Sequence, residues 1–152
     1  MSQSSQSRAG DLPFVDEHAV QVAAPQAAVW ASLEHHVRKS LRFAPGHLLP
    51  RILAMEPRTG FAVAERSPLS LLRLVGRHRF SDYALEFDLE AAGDGTVLRA
   101  RTLAAFPGLR GRLYRALVIG SGGHRIVVRR LLDAVAGRSE RALDVRDVAR
   151  SE

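Results

Sequence analysis

The sequence feature that most constrains the fold is an apolar stripe whose members recur at steps of three and four between Pro107 and Gly137. This spacing places them on one face of a single helix of roughly 28 residues, about 40 Å long. The stripe comprises Leu109, Leu113, Leu117, Gly120, His124, Val127, Leu131 and Val135. A helix of this length predicts an apolar surface elsewhere in the chain for it to cover.

The stripe loses its bulk at the centre, where Gly120-Ser121-Gly122-Gly123 precedes His124. Each glycine inside a helix costs about 1 kcal/mol relative to alanine. Three glycines in four residues therefore indicate a bend, or a space that larger side chains would fill.

The segment before this helix alternates between apolar and polar residues and is interrupted by turn residues. The alternation predicts strands at Phe14–Ala23, Leu48–Met55, Phe61–Arg66, Leu69–Gly76, Arg79–Glu90 and Thr96–Phe106. Turn signals at Glu56–Gly60, Gly76–His78 and Ala92–Gly95 predict hairpins, and hairpins make an antiparallel sheet. Pro25 predicts the start of a helix ending at His36, followed by a second short helical segment, Val37–Phe43.

The inward faces of the first and last strands suggest where a pocket lies. Phe14, His18, Val20 and Val22 share one face of the first strand, and Asp16 breaks that inward pattern. The last strand thins to Ala100, Thr102 and Ala104, opposite the glycine run of the helix. Small residues on both walls predict a hole between them.

Composition limits the class of protein. The chain has 152 residues, 46% of them hydrophobic, which predicts one domain over residues 13–137, a disordered tail over 1–12 and a charged tail over 138–152. The absence of cysteine excludes disulfides and thiolate metal sites, and it favours a cytoplasmic location. No apolar run is long enough to predict a transmembrane helix.

The charge balance is basic, with a net charge of +6, and all 22 basic residues except Lys39 are arginine. Arg115, Arg125 and Arg129 fall opposite the apolar stripe of the predicted helix. A solvated outer face is the favoured interpretation, and a docking surface for an acidic partner is the alternative. No aromatic RNA-binding motif accompanies these arginines, so we expect no specific nucleic-acid partner.

The order of these elements resembles the helix-grip fold of the START/Bet v 1-like (SRPBCC) superfamily. The segments that carry the resemblance are Val22-Ala23-Ala24-Pro25-Gln26-Ala27-Ala28-Val29-Trp30, Arg79-Phe80-Ser81-Asp82-Tyr83-Ala84-Leu85-Glu86-Phe87 and Ala105-Phe106-Pro107-Gly108. They are similar to a bacterial subgroup of polyketide cyclase/dehydrase-like proteins. The resemblance implies an α+β fold, in which a curved antiparallel sheet of about six to seven strands wraps around a long C-terminal helix. It also implies two short helices after strand 1, and it carries over no catalytic motif.

His124 is the leading candidate for function, because it projects from the covering helix beside the glycines. It would serve as a proton donor or as a hydrogen-bond anchor for a ligand, or else a hydroxyl of Thr102 or Tyr83 would satisfy it. The candidate ligand-binding residues are His124, Gly120, Gly123, Tyr83, Arg79, Thr102, Phe106, Phe87, Trp30 and His18. Trp30 and His18 are more typical of structural positions, and Arg79 either neutralises an acidic ligand or lies at the rim.

Together these patterns favour a small-molecule binding protein with an enclosed, mainly apolar cavity for a lipid-like or polycyclic, polyketide-like compound. One alternative is a cyclase or dehydratase that uses His124, and another is an interaction module that uses the basic helix face. No nucleotide-binding loop is present, and adjacent His35 and His36 point about 100° apart on a helix, so we expect no cofactor and no metal. The hydrophobic ligand is the expected partner, and homodimer formation is left open.

Overall fold

The structure, a computed structural model, describes residues 12–42, 61–78 and 81–150. Over these ranges the elements are β1 (Phe14–Val22), α1 (Gln26–Arg42), β2 (Ala62–Ser67), β3 (Leu71–His78), β4 (Ser81–Ala92), β5 (Gly95–Ala105), α2 (Gly108–Val118) and α3 (Gly123–Arg150). The predicted strand Leu48–Met55, the predicted turn Glu56–Gly60 and Arg79 lie outside the described residues. So does the predicted N-terminal tail, apart from Leu12.

The strands form one antiparallel sheet in the order β1-β5-β4-β3-β2. The predicted α+β class and hairpin-built sheet are confirmed, with five strands in the described part of the chain against the six to seven expected. The predicted turn at Ala92–Gly95 is present, because Ala92 pairs with Gly95 and Gly93 has a φ of 59° that glycine adopts without strain. The turn predicted at Gly76–His78 is wrong: β3 continues through His78, which pairs with Ser81.

The core lies between the inner face of the sheet and the helices α1 and α3. Alternation along β4 and β5 directs Phe87 and Leu98 inward, where neither is exposed to solvent. They pack with Leu33 of α1 and with Leu132 and Val135 of α3 in one hydrophobic cluster. The gripping arrangement expected from the sequence therefore exists, with a helix pair covering the sheet.

Helix α1 is one continuous helix rather than the two short ones predicted. It runs from Gln26 to Arg42, and its buried stripe of Val29, Trp30 and Leu33 continues to Val37. Val37 lies four residues after Leu33 on the same face, and no glycine or proline interrupts the helix. The packing of this stripe carries the helix through the expected break.

A long C-terminal helix, α3, is present as predicted, but the segment Pro107–Gly137 is not a single helix. It is divided into α2 and α3 at the glycine run, where a bend or a space was predicted. Gly122 has a φ of 75°, outside the helical region, and its N–H donates to the carbonyl of Ile119 at 3.1 Å. This break resets the helical phase. The predicted stripe is therefore wrong at Leu109, Leu113 and Val127, which are 77%, 65% and 66% exposed.

The buried face of α3 is instead formed by Val128, Leu132, Val135, Ala136 and Ser139. The predicted end of the helix near Gly137 is wrong, because α3 continues to Arg150. Ser139 is buried and its hydroxyl donates to the carbonyl of Val135 at 2.7 Å, while Leu143 packs on the core cluster. The first part of the predicted charged tail thus packs with the domain.

The outer face of the sheet carries a row of alternating charges that crosses all five described strands. The register aligns Glu65, Arg73, Glu86, Arg101 and Glu17, on β2, β3, β4, β5 and β1 in turn. Each neighbouring pair is within ion-pair distance. We call these five residues the charge row.

Candidate functional site

Four polar side chains meet between the β1–β5 pair and the first turn of α3. Asp16 lies opposite Thr102 in the strand register, and His18 lies opposite Ala100. Since α3 begins at Gly123, its second residue, His124, reaches the same two strands. We call Asp16, His18, Thr102 and His124 the polar cluster.

The distances within the polar cluster link all four residues. His124 Nε2 lies 3.0 Å from Thr102 Oγ1 and 3.5 Å from Asp16 Oδ1. His18 Nε2 lies 3.3 Å from Asp16 Oδ2. The carboxylate is therefore placed between two imidazoles, one of which also contacts a hydroxyl.

The Asp16 carboxylate is buried without a hydrogen-bond donor among the described residues. Its oxygens Oδ1 and Oδ2, and Nε2 of His18, are inaccessible to solvent and lack a hydrogen-bond partner. The two histidine nitrogens are close enough for ion pairs, but they do not meet the carboxylate with hydrogen-bond geometry. A buried polar group left in this state costs about 1–3 kcal/mol, and more when it is charged.

A strand irregularity accompanies the inward position of Asp16. The pairing of β1 with β5 shifts register between Phe14 and Asp16, as occurs at a β-bulge. Bulges redirect side chains and are frequent beside functional sites. Phe14 is left 60% exposed, whereas Asp16 is 9% exposed.

A cleft of about 360 Å³ opens at the same end of the β1–β5 pair. Its lining consists of Pro13, Phe14, Val15, Asp82, Ala104, Ala105, Phe106, Pro107, Arg112 and Arg115. Val15 directly precedes Asp16, and Ala104 follows Thr102 on the same face of β5. A mainly apolar cleft with two arginines on α2 thus lies one residue from Asp16 along β1 and two from Thr102 along β5, and the four residues of the polar cluster are not among those that line it.

The structure brings some predicted site residues together and separates others. His124, Thr102 and His18 meet in the polar cluster, and Phe106 lines the cleft. Tyr83 instead stacks edge-to-face on Phe61, with ring centroids 5.0 Å apart.

Phe87 and Trp30 belong to the hydrophobic core. The guanidinium of Arg66 lies over the indole ring of Trp30. Gly120 and Gly123 are exposed at the break between α2 and α3 and do not line a cavity wall. They were predicted as ligand-binding residues because they lay at the centre of one continuous helix, and the structure does not contain that continuous helix. Arg79 lies outside the described residues.

Asp16 is the residue of the polar cluster that the sequence interpretation did not select. Its signal was present as an acidic residue at an inward strand position, two residues before an inward histidine. The interpretation treated it as a defect of the strand pattern. An acid on a buried face is better taken as a site indicator, because its burial is costly.

The described residues contain no group of three or more histidine, cysteine or acidic side chains arranged to hold a metal ion. None of the described helices is long and apolar enough to cross a membrane.

Comparison with known proteins identifies the fold. No protein-family model and no curated protein matches the chain. Among solved structures, the Mll3558 protein from Rhizobium loti is 15% identical with a TM-score of 0.54, over 81% of this chain and 94% of its own. A conserved protein from Geobacillus kaustophilus is 10% identical with a TM-score of 0.53, over 83% and 95%.

The Zhui aromatase/cyclase from Streptomyces sp. R1128 is 16% identical with a TM-score of 0.50, over 84% of this chain and 94% of its own. These likenesses confirm the predicted helix-grip fold. At such identities they establish the fold and leave the activity to be argued from the site.

Proposed function

We propose that the protein binds a mainly apolar, lipid-like or polycyclic small molecule that donates a hydrogen bond to Asp16. The observation that carries this proposal is the buried carboxylate, both of whose oxygens lack a donor among the described residues. Native proteins rarely leave such groups unpaired, and the exceptions concentrate at functional sites. A ligand hydroxyl or phenol would supply the missing donor.

The surroundings of Asp16 support an apolar ligand with few polar groups. The adjoining cleft presents the aromatic rings of Phe14 and Phe106 and the small side chain of Ala104. His124 and Thr102 add a second polar contact beside the carboxylate. Binding sites for small molecules combine an apolar lining with a few polar groups in this way.

The proposal is tested by binding of the environment-sensitive dye 8-anilinonaphthalene-1-sulfonate and its displacement by a panel of hydroxylated polycyclic compounds. The informative variant is Asp16→Asn, with Glu17→Gln as the matched control on the opposite face of β1. We expect Asp16→Asn to weaken the best displacing compound about tenfold, the effect of losing one charge-assisted hydrogen bond, while Glu17→Gln does not.

Stability distinguishes this role from a structural one. If Asp16 is retained for a ligand, Asp16→Asn replaces a buried carboxyl group that lacks a hydrogen-bond donor and raises the free energy of unfolding by about 1 kcal/mol. A variant that is less stable and binds as the wild type does would show instead that Asp16 is a structural partner of His18 and His124, and would refute the proposal.

A second candidate function is catalysis, in which His124 moves a proton during dehydration or cyclisation of a polyketide-like substrate. The favouring observation is that Nε2 of His124 lies near both a hydroxyl and a carboxylate oxygen, contacts that orient the imidazole ring. The fold is also that of an aromatase/cyclase, although this likeness alone does not transfer the activity.

The variant His124→Gln separates catalysis from binding. A β-hydroxy ketone that loses water to a conjugated enone gives an absorbance readout. Catalysis predicts that the variant still binds this compound and forms enone at least about a hundredfold more slowly, the usual share of one acid–base group. Equal rates for wild type and variant would remove the enzyme hypothesis and leave the binding proposal intact. Homodimer formation and a cytoplasmic location stay predictions.

A further inference from the structure

A second cleft lies between α1 and the part of α3 that is distant from the polar cluster. Its volume is about 440 Å³. Ala134, one of its lining residues, is ten residues after His124 in the same helix, a separation of about 15 Å along the axis. The cleft is therefore distinct from the site of the proposed function.

Among the described residues, the polar side chains that line this cleft are all basic. They are His35, His36 and Lys39 from α1 and Arg138 and Arg141 from α3. None of the carboxylates in the described part of the chain forms an ion pair with Lys39, Arg138 or Arg141. Five basic side chains thus face one concave space without a negative counterpart.

Mutual repulsion in the cleft is visible at His35. The guanidinium of Arg138 is the largest influence that lowers the pKa of His35 below its ordinary value, with a smaller contribution from desolvation. The remaining charged groups that act on it, His36, Lys39 and Arg38, also lower its pKa. An anion in the cleft would reverse this effect, because it stabilises the protonated imidazole.

One local feature orients a donor, and another leaves room for one. His36 Nδ1 lies 3.0 Å from the carbonyl of Ser32, which can only accept, so Nδ1 carries a proton and Nε2 is left for a ligand. A methyl group at position 137 would lie 3.2 Å from Nη1 of Arg141, so Gly137 leaves room for that guanidinium. Glycine inside a helix costs about 1 kcal/mol, and here it accommodates a cleft residue.

We propose that this cleft binds a small soluble ligand bearing a phosphate or diphosphate group. Two guanidinium groups, an ammonium and two imidazoles offer the donors that phosphate oxygens accept. The cleft is concave and lined at its apolar side by Ala134 and Ala142, which suits a compact ligand rather than a flat surface. The proposal stands independently of the ligand site near Asp16.

The test is a titration of the full chain with pyrophosphate at low salt and at about pH 6.5, close to the ordinary imidazole pKa. Imidazole NMR signals of His35 and His36 report occupancy. We expect saturable shifts, a rise in the pKa of His35 on binding, and about tenfold weaker binding in Arg138→Gln and in Arg141→Gln.

The matched control is Arg129→Gln, which removes the same charge from α3 at an exposed residue that does not line the cleft. Its affinity should stay within about twofold of wild type. Equal weakening in all three variants, or shifts that do not saturate, would refute the proposal in favour of diffuse electrostatic attraction.

A second arm distinguishes a soluble ligand from a membrane headgroup. Vesicles of phosphatidylcholine with phosphatidic acid are offered to the same proteins in a sedimentation assay. We expect no binding that depends on Arg138 and Arg141. Vesicle binding that requires both arginines, together with no response to pyrophosphate, would overturn the assignment of a soluble ligand.

Discussion

The sheet and the helical layer, by which we mean α1, α2 and α3, use basic residues in opposite ways. The five described strands carry 5 basic and 7 acidic side chains. The three helices carry 13 basic and 5 acidic ones. The net positive charge of the chain therefore resides on the helices, while the strands are slightly acidic.

Pairing follows the same division. Every arginine on the five described strands forms an ion pair. These arginines are Arg66, Arg73, Arg77, Arg99 and Arg101. No ion pair among the described residues includes an arginine of α2 or α3. Charge on the sheet is compensated within the fold, whereas charge on the helices is left to solvent or to a partner. Arg115, Arg125 and Arg129, the face predicted as solvated or as a docking surface, are exposed, and the choice between these two interpretations stays open.

The largest predicted effect comes from removing the centre of the charge row, which tests whether charge on the sheet is compensated within the fold. Glu86 is buried and contacts both Arg73 and Arg101. Glu86→Ala should lower the free energy of unfolding by about 2 kcal/mol, because Arg73 and Arg101 each lose one of their two carboxylate partners in the charge row. Urea unfolding measures the loss.

The control is Glu90→Ala, on the same face of β4. The Glu90 side chain pairs with Arg99 but is 71% exposed, so its loss should cost less than about 0.5 kcal/mol. Equal effects at the two positions would mean that burial does not distinguish the row from ordinary surface pairs.

The helical layer is most sensitive at its break. Gly122→Ala places a Cβ at a φ of 75° and should destabilise the protein by about 1–2 kcal/mol, which thermal unfolding detects. Gly123→Ala, at the first residue of α3, meets Ser121 Oγ only at ordinary contact distance and should be neutral or slightly stabilising. If both substitutions are neutral, the positive φ does not define the break.

The break also explains which parts of the fold could be predicted from the sequence. Strand alternation along β1 and β5 and the Ala92–Gly95 turn depend on local rules, and these predictions are confirmed. The Gly76–His78 turn, predicted by the same rules, is wrong, and the predicted strand Leu48–Met55 lies outside the described residues. The helical stripe depended on one continuous phase from Leu109 to Val135, which the positive φ of Gly122 interrupts. Sequence shows that a residue is glycine, but it does not show the sign of its φ. The expectations for Leu109 and Val127 failed for this reason.

The packing of α3 beyond Gly137 was not predicted, because Ser139, which is buried there, is small and polar. Ala136 and Ser139 pack closely against α1, where Ser32 Oγ donates to the carbonyl of Val135 at 3.0 Å. Hydrophobic periodicity gives such residues little weight. The contact of His124 with Thr102, by contrast, was among the predicted alternatives and is present, although His124 belongs to the same predicted stripe as Leu109 and Val127.

Charge compensation on the sheet can also be tested through the pH dependence of stability, using the carboxyl group of Asp88. Burial is the largest cause of the raised pKa of Asp88, although Arg101 and Arg99 act in the opposite direction. A carboxyl with a raised pKa in the folded state keeps more protons than in the unfolded state, so its contribution to stability falls as pH rises through that pKa.

Asp88→Asn removes this dependence. The variant should gain up to about 0.5 kcal/mol over wild type at neutral pH, and the two should converge toward about pH 3, where both the folded and the unfolded carboxyl are protonated. Urea unfolding from about pH 3 to pH 7 measures the difference. A variant that is less stable at neutral pH would show that the arginines outweigh burial, and Asp88 would then belong with the compensated charges.

The smallest predicted effect concerns the arginines of α3, which form no ion pair among the described residues. Arg125 lies in the first turn of α3, where a positive charge opposes the helix dipole, and Arg129 follows four residues later on the same face. Arg125→Gln should therefore raise the free energy of unfolding by about 0.3 kcal/mol at low salt. The gain should vanish in about 1 M salt, where the Debye length is about 3 Å. Arg99→Gln on the sheet removes a paired arginine and should show no such gain. If Arg125→Gln is destabilising at low salt, α3 holds a counter-charge for it, and the helical layer is compensated as the sheet is.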